Sequence, residues 1–401
     1  MISPVRSELS FSPDRKRVAT PAAEGSGIRL PSILTRPATL LVFLAGLLSV
    51  QAGAEAFPPS KTWVFVAGLL EWEDADNFES FPQENRQDAR LVEFFQEKGV
   101  PSGQLVYLRD KAATLQRVRT EFQKFVERIP GDGVLLFYYC GHGYQDDDSG
   151  KTLFAPWDAT EKGGWGMADV ADVVFDSFKG KRALLLADCC QSGGLVRQVQ
   201  KRNQEVPTPR IAAVSSSSAR EGSTGNWTFT ESFLDSLEGK PWVDRAADGE
   251  ATLRDFAANA VEEMRVFESQ RAVSEIPETW PGDAVLSTLQ GARRDRVGER
   301  VEALAEGEYW PGRILDARKG EFLVRYVGYF AEDDQWHPAK ELRPIDTRKR
   351  LSVGTAVDVK WKGKWYPGRV LDDDGGAYFV SYDGYDSTWN EWAAPGRVRP
   401  R

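Results

Sequence analysis

From residue 62 onward, short unbroken apolar runs alternate with longer segments whose apolar positions recur every three or four residues. The runs suit strands covered on both faces, and the longer spacing puts Leu91, Phe94 and Phe95 on one side of a helix. The pattern predicts strands at 62–69, 104–108, 134–139, 183–187 and 211–215. Helices are predicted at 86–98, 114–129, 168–178, 230–237 and 251–267. Strands separated by helices imply a mostly parallel sheet with helices on both faces. Residues 195–210 are polar, show neither period and read as a loop.

Beyond residue 290 the pattern changes to short alternating strands broken by Gly and Asp, and it repeats. Trp310-Pro311-Gly312-Arg313 returns as Tyr366-Pro367-Gly368-Arg369, Tyr326-Val327-Gly328-Tyr329 as Tyr382-Asp383-Gly384-Tyr385, and Trp336 as Trp392. Two small, strongly bent all-β barrels are expected from this, at 296–345 and 351–401, behind an α/β domain at 61–289.

Residues 1–56 fit neither pattern. A stretch rich in Ser, Pro and Arg leads to a compact apolar run at 40–50, and small residues at A-x-A spacing follow it. That layout predicts a signal peptide cleaved near Ala54 or Ala56, hence an exported protein, periplasmic or secreted. The run is shorter than the roughly 20 apolar residues of a membrane span, so a membrane anchor is expected only if it stays uncleaved.

With 401 residues there is room for these domains and a sizeable core, and a formal charge of −9 argues against a nucleic-acid partner held by phosphate attraction. Three cysteines, two of them adjacent, build no disulfide framework, and no CxxC pair points to zinc. Free thiols are expected.

The candidate chemistry sits where two predicted strands stop. One run ends in Tyr139-Cys140-Gly141-His142-Gly143, the other in Asp188-Cys189-Cys190-Gln191-Ser192-Gly193. Loops at the carboxyl ends of parallel strands are held by a rigid frame, and ligands bind there. A thiol attacks a carbonyl as thiolate, and an imidazole within hydrogen-bond reach makes one near neutral pH. Taken singly, Cys190 reads as a small buried residue and His142 as a turn residue; the two contexts together favour a nucleophile and a base.

These motifs resemble those of the caspase-like cysteine peptidases, and within them the metacaspases and their bacterial relatives, whose histidine motif looks like YSGHG and whose cysteine motif looks like DxCHSG. The resemblance covers roughly 61–289 and implies an α/β caspase-like fold. It makes Cys190 the nucleophile, His142 the group that protonates the leaving amine and then activates water, and the N–H groups of Gly143 and Cys190 the oxyanion hole. Two departures stand out: Cys140 occupies a usual serine position and Gln191 a usual histidine position.

By the same resemblance, Asp188 and Asp88 line the pocket for the residue before the scissile bond. Two carboxylates favour arginine or lysine there, in a protein or peptide substrate. Arg197, Lys201, Arg202 and Arg210 would then be cleavage sites within the chain. The alternative is an inactive caspase-like scaffold that only binds. No cofactor is expected, with calcium as the weaker alternative: Asp158 and Asp169 lie near acidic family positions for it, but they do not make up the six or more oxygens it takes.

The two C-terminal copies resemble Tudor, agenet and chromo-barrel modules, which often hold a cation in an aromatic cluster and would recruit a partner. The candidates are Trp310, Tyr326, Tyr329 and Trp336, then Tyr366, Tyr382, Tyr385 and Trp392. A barrel this small also needs aromatics for its own core. His337 is expected on the surface.

Overall fold

Val64, Phe65, Val66 and Ala67 are fully buried because the strand that carries them runs through the middle of a sheet covered on both faces. The computed structural model describes residues 55–401 apart from 84, 147, 161–162, 209, 219–226, 269, 281–283, 290–295, 327–332, 345–350, 362, 374–377 and 394, and apart from the side chains at 266, 267, 388, 392 and 395. The expected signal segment up to residue 54, Tyr329 and the Trp392 side chain lie outside that description.

In chain order the first domain begins β1 (Thr62–Gly68), α1 (Gln87–Glu97), β2 (Leu105–Arg109), α2 (Leu115–Glu127) and β3 (Val134–Cys140). A small antiparallel sheet, β4 (Gly143–Gln145), β5 (Thr152–Phe154) and β6 (Trp165–Gly166), leads into α3 (Met167–Ser177) and β7 (Arg182–Asp188). Then come α4 (Gly193–Glu205), β8 (Ile211–Ser215), α5 (Thr228–Glu238), β9 (Glu250–Thr252), α6 (Leu253–Phe267), β10 (Val273–Glu275) and β11 (Val285–Thr288). The main sheet has the order β10-β8-β7-β3-β1-β2, and every pairing in it is parallel except that of β10. This is the mostly parallel sheet with helices on both faces that the apolar pattern predicts.

Successive strand residues feed opposite cores. Phe65, Phe137 and Leu185 meet Phe122 of α2, Val170 of α3 and Val199 of α4; Val66, Tyr138 and Leu186 meet Phe95 of α1, Phe233 of α5 and Phe256 of α6. Each fully buried side chain of this kind stabilises the fold by roughly 1.5–3 kcal/mol relative to exposure. Ala56 and Phe57 already belong to the second core, so the folded domain starts a little before the expected residue 61.

The expected loop at 195–210 is instead α4 over most of its length. Leu195, Val196 and Val199 give it a narrow apolar stripe, and Arg202 reaches Asp176 of α3 at 2.6 Å. The stripe is diluted by Gln, Lys and Asn, which hid the helical period. Arg197, Lys201 and Arg202 therefore sit in helical backbone.

The C-terminal copies are five-stranded antiparallel sheets, as expected of small barrels. The first holds β12 (Arg300–Ala305), β13 (Glu308–Arg318), β14 (Glu321–Tyr326), β15 (Gln335–Pro338) and β16 (Leu342–Pro344). The second holds β17 (Ala356–Trp361), β18 (Lys364–Asp373), β19 (Tyr378–Tyr382), β20 (Glu391–Ala393) and β21 (Val398–Pro400). Each long second strand shifts register at the same repeat position, Ile314/Asp316 and Val370/Asp372, a bulge that bends it. His337 is buried rather than on the surface: Tyr326 Oη lies 2.6 Å from its Nε2, and Glu341 Oε2 3.2 Å from its Nδ1. Its position in β15 turns it inward, which composition could not reveal.

The first copy is tied to α6. Glu262 pairs with Arg300 at 3.0 Å, Arg313 at 2.7 Å and Arg245 at 2.8 Å. Burial opposes the Glu262 charge, yet Arg313, Arg245 and Arg300 hold its carboxyl well below the usual range. Trp242 packs against the core of the same copy. The two copies also meet, through Lys360 and Glu308 at 3.1 Å and through Arg397 stacked on Trp310.

Candidate active site

β3 and β7 lie side by side with Cys140 opposite Asp188, so both motifs leave the sheet at one rim, and His142 and Cys190 each follow two residues beyond that pair. Gly68 of β1 is level with them, opposite Cys140. The loops touch. A Cβ on Gly143 would lie 2.1 Å from the Cys190 carbonyl oxygen and 2.8 Å from Cys189 Sγ, so a residue without a side chain is required there.

All three cysteines are free thiols, and they differ in setting. Cys140 and Cys189 are buried, while Cys190 is partly exposed. Gln191 adopts a left-handed φ of 57°, which turns the chain sharply from β7 into α4. α4 begins at Gly193, and the N-terminal end of a helix favours negative charge nearby. Ser217 Oγ donates to the Cys189 carbonyl at 2.9 Å and pins the turn to the segment after β8.

His142 Nε2 lies 2.7 Å from the Glu79 carbonyl oxygen. A carbonyl can only accept, so in the neutral ring Nε2 carries the hydrogen and Nδ1 keeps its lone pair for a proton. The ring packs among Trp72, Phe81 and Phe78, with centroids 4.4, 4.6 and 5.8 Å away. Burial pushes the His142 pKa below its usual value against the pull of the Glu79 carbonyl, which leaves a neutral base at physiological pH. Sequence reasoning missed all four neighbours; three aromatics within an acidic loop were the available signal.

Both expected pocket acids come to this rim, on either side of Cys140. Burial, then the nearby Asp88 and Asp188 carboxylates, push the Cys140 thiol far up. Asp188 accepts from Thr230 Oγ1 at 2.7 Å, and burial raises its carboxyl to about 6 despite that bond. Asp88 is fully buried and bonded to Arg86 and Tyr107. It was expected as an open carboxylate, and Arg86 already compensates it.

The acids near calcium positions have protein partners as well. Asp158 accepts the Leu115 N–H at 2.6 Å and so satisfies the start of α2, and Asp169 pairs with Arg119 at 3.2 Å. Among the described residues no group of acids, histidines or cysteines could hold a metal ion.

The aromatic candidates divide between the copies. In the first, Trp310 has Arg397 over its ring at 4.5 Å, Trp336 has Arg318 at 3.9 Å, and Tyr326 is buried against His337. The chain's own cations use these rings. In the second, Trp361–Tyr366, Tyr366–Tyr382, Tyr382–Tyr385, Tyr385–Trp389 and Trp389–Trp361 close a circuit with centroids 6.0, 6.2, 6.3, 5.2 and 5.9 Å apart. A regular pentagon of that side has its centre about 5 Å from each ring, within the roughly 6 Å reach of a cation–π contact. Tyr385 and Trp389 are exposed. Trp361 and Trp389 were not foreseen; they stand where the first copy has Ala305 and Asp333, and that departure from the repeat was the signal.

Residues 82–279 match the family model of the caspase domain, and 298–346 and 354–401 each match that of the agenet domain. A Geobacter sulfurreducens protein of known crystal structure is 16% identical, with a TM-score of 0.41, over 57% of this chain and 100% of its own. Caspase-1 of Spodoptera frugiperda is 14% identical, with a TM-score of 0.39, over 60% of this chain and 94% of its own. No curated protein matches the chain.

Proposed function

Because the chain carries a caspase domain with two agenet domains behind it, we propose that it is a cysteine endopeptidase that cleaves after arginine or lysine through Cys190 and His142. The observation that carries this reading is the β3–β7 register, which brings both motifs to one rim. In the proposed reaction the Cys190 thiol passes its proton to His142 Nδ1 and the thiolate attacks the scissile carbonyl carbon. The N–H groups of Gly143 and Cys190 receive the oxyanion. The imidazolium then protonates the leaving amine, and the neutral ring activates the water that hydrolyses the acyl-enzyme. A panel of fluorogenic peptides tests this: those with arginine or lysine before the scissile bond should be cut, and those with aspartate should not, since a carboxylate there would meet Asp188. Preference for aspartate would reject the pocket assignment.

The second copy supports recruitment of a partner through a cation, a methylated lysine or another quaternary ammonium group, held in the ring of Trp361, Tyr366, Tyr382, Tyr385 and Trp389. Deleting 298–401 should leave peptide turnover within a few-fold, because every proposed catalytic and pocket residue precedes it. The melting temperature should fall, since Glu262 would lose Arg300 and Arg313 and Trp242 its cover. Trp389→Ala should weaken binding of a trimethyllysine peptide about tenfold without touching turnover. Collapse of turnover in a folded deletion variant would end the modular reading.

Export is part of the proposal. No helix among the described residues is long and apolar enough to cross a membrane. Cleavage after Ala54 would leave Glu55 and Ala56, whose carbonyls accept from the buried Arg182, in the mature protein.

A further inference from the structure

The two pocket acids are electrostatically unequal. A guanidinium has five N–H donors and no acceptor. In Arg86, Nε donates to Asp88 Oδ1 at 3.0 Å, and Nη2 to Asp88 Oδ2 at 2.8 Å and to the Gly68 carbonyl at 2.9 Å. Its Nη1 donates to Asp110 Oδ2 at 2.6 Å and to Gln83 Oε1 at 3.0 Å. All five donors are used. Arg86 therefore has none left for a substrate carboxylate. Tyr107 donates a further bond to Asp88 at 2.8 Å, and Arg109 reaches Asp110 at 3.1 Å, so the cluster pairs two guanidiniums with two carboxylates and is neutral.

Asp188 has no such partner. Its Oδ2 accepts from Thr230 Oγ1 at 2.7 Å, and that oxygen lies 2.5 Å from Tyr138 Oη. With the Thr230 proton committed to Asp188, the Tyr138 hydroxyl must be the donor in the second bond, so a buried chain from β3 through α5 fixes the carboxyl. Among the described residues no cation pairs with Asp188; the groups that donate to it, the Thr230 hydroxyl and N–H and the Ser216 hydroxyl, are all neutral and leave its charge uncompensated.

We propose that selection of a basic residue rests on Asp188 alone, aimed by Thr230, and that Arg86 removes Asp88 from the charge of the pocket. This rests on the peptidase reading above. Asp188 is the specificity-determining residue, Thr230 a positioning residue, and Arg86 an internal counter-ion that occupies the seat a substrate guanidinium would otherwise take against Asp88.

The test compares peptides with arginine or its neutral isostere citrulline before the scissile bond, reading the ratio of kcat/KM. Asp188→Asn should reduce the ratio about 10²-fold, the cost of a buried cation left without its carboxylate. The paired replacement Arg86→Gln with Asp88→Asn, neutral for neutral, should keep the ratio within a few-fold. Asp88→Asn alone, which leaves Arg86 bonded to Asp110 and Gly68, is the second variant if the pair does not fold. Thr230→Val should move the acid limb of the arginine-peptide profile to higher pH, because the hydroxyl bond favours the carboxylate; Thr230→Ser should restore it. Among the described residues Cys140, Cys189, Tyr138 and Glu268 are the other titratable groups that face Asp188, and none is altered in these variants.

A readout independent of turnover separates this proposal from the reading beneath it. Cys190→Ala protein is titrated with peptides ending in arginine or citrulline. Wild-type protein that cuts nothing, while arginine binding persists and needs Asp188, would sink the peptidase reading and leave the selectivity intact. An Asp88 variant that loses the arginine preference as fully as Asp188→Asn, by turnover or by titration, overturns the proposal. So does equal binding of the two peptides.

Discussion

Cys190→Ala is expected to lower kcat on a basic peptide by about 10⁴-fold, with His142→Ala as severe and the double variant no worse, because residues that act as one unit lose their whole effect together. Cys190 is the one partly exposed cysteine at the rim. Cys189→Ala provides the contrast. Cys189 faces the core, where burial pushes its thiol far up, and its loss should cost about 1 kcal/mol of stability with most activity retained. Stopped assays on variants with unchanged circular dichroism decide the matter, and equal activity of wild type and Cys190→Ala would leave only the binding scaffold.

Gly143→Ala should be nearly as damaging, with activity down about 10³-fold and the protein destabilised by about 1–3 kcal/mol. The atom its Cβ would meet at 2.1 Å is the backbone oxygen of Cys190, which no rotamer change can move aside. The histidine and cysteine loops must part, and a shift of about 1 Å between reacting groups can cost roughly 10²-fold by itself. Gly131→Ala is the control: the nearest atom to a Cβ there is the Lys179 carbonyl oxygen at 3.9 Å, an ordinary contact. Thermal melts and peptide turnover of the two variants should diverge. An active, stable Gly143→Ala protein would mean that the loops do not need their close approach.

The sequence by itself determined the elements whose signal is local. Apolar runs such as 134–139 and 183–187 had only to be buried on both faces to become central strands, and the polar turns that stop them marked His142 and Cys190. The two-copy repeat was legible for the same reason, since each copy carries its own bulge and its own close-packed glycine at a matching position. Signals failed where the apolar stripe was thin, as in α4, or the strand too short to show a period, as in β4 to β6.

Only the tertiary structure decided what lies across from what. That Asp88 is paired with Arg86 and Tyr107, and Arg86 in turn with Asp110 and the Gly68 carbonyl, is marked by no motif. Glu79 has no chemistry in sequence, because its backbone oxygen matters and any residue supplies one. Thr230 lies 42 positions from the carboxylate it aims, and Trp361 and Trp389 meet only when β17 and the turn before β20 are brought together. Period and composition are properties of the chain near one residue. Charge compensation, tautomer and ring geometry depend on atoms a few ångströms away in space, which arrive from segments whose spacing along the chain carries no mark of the encounter.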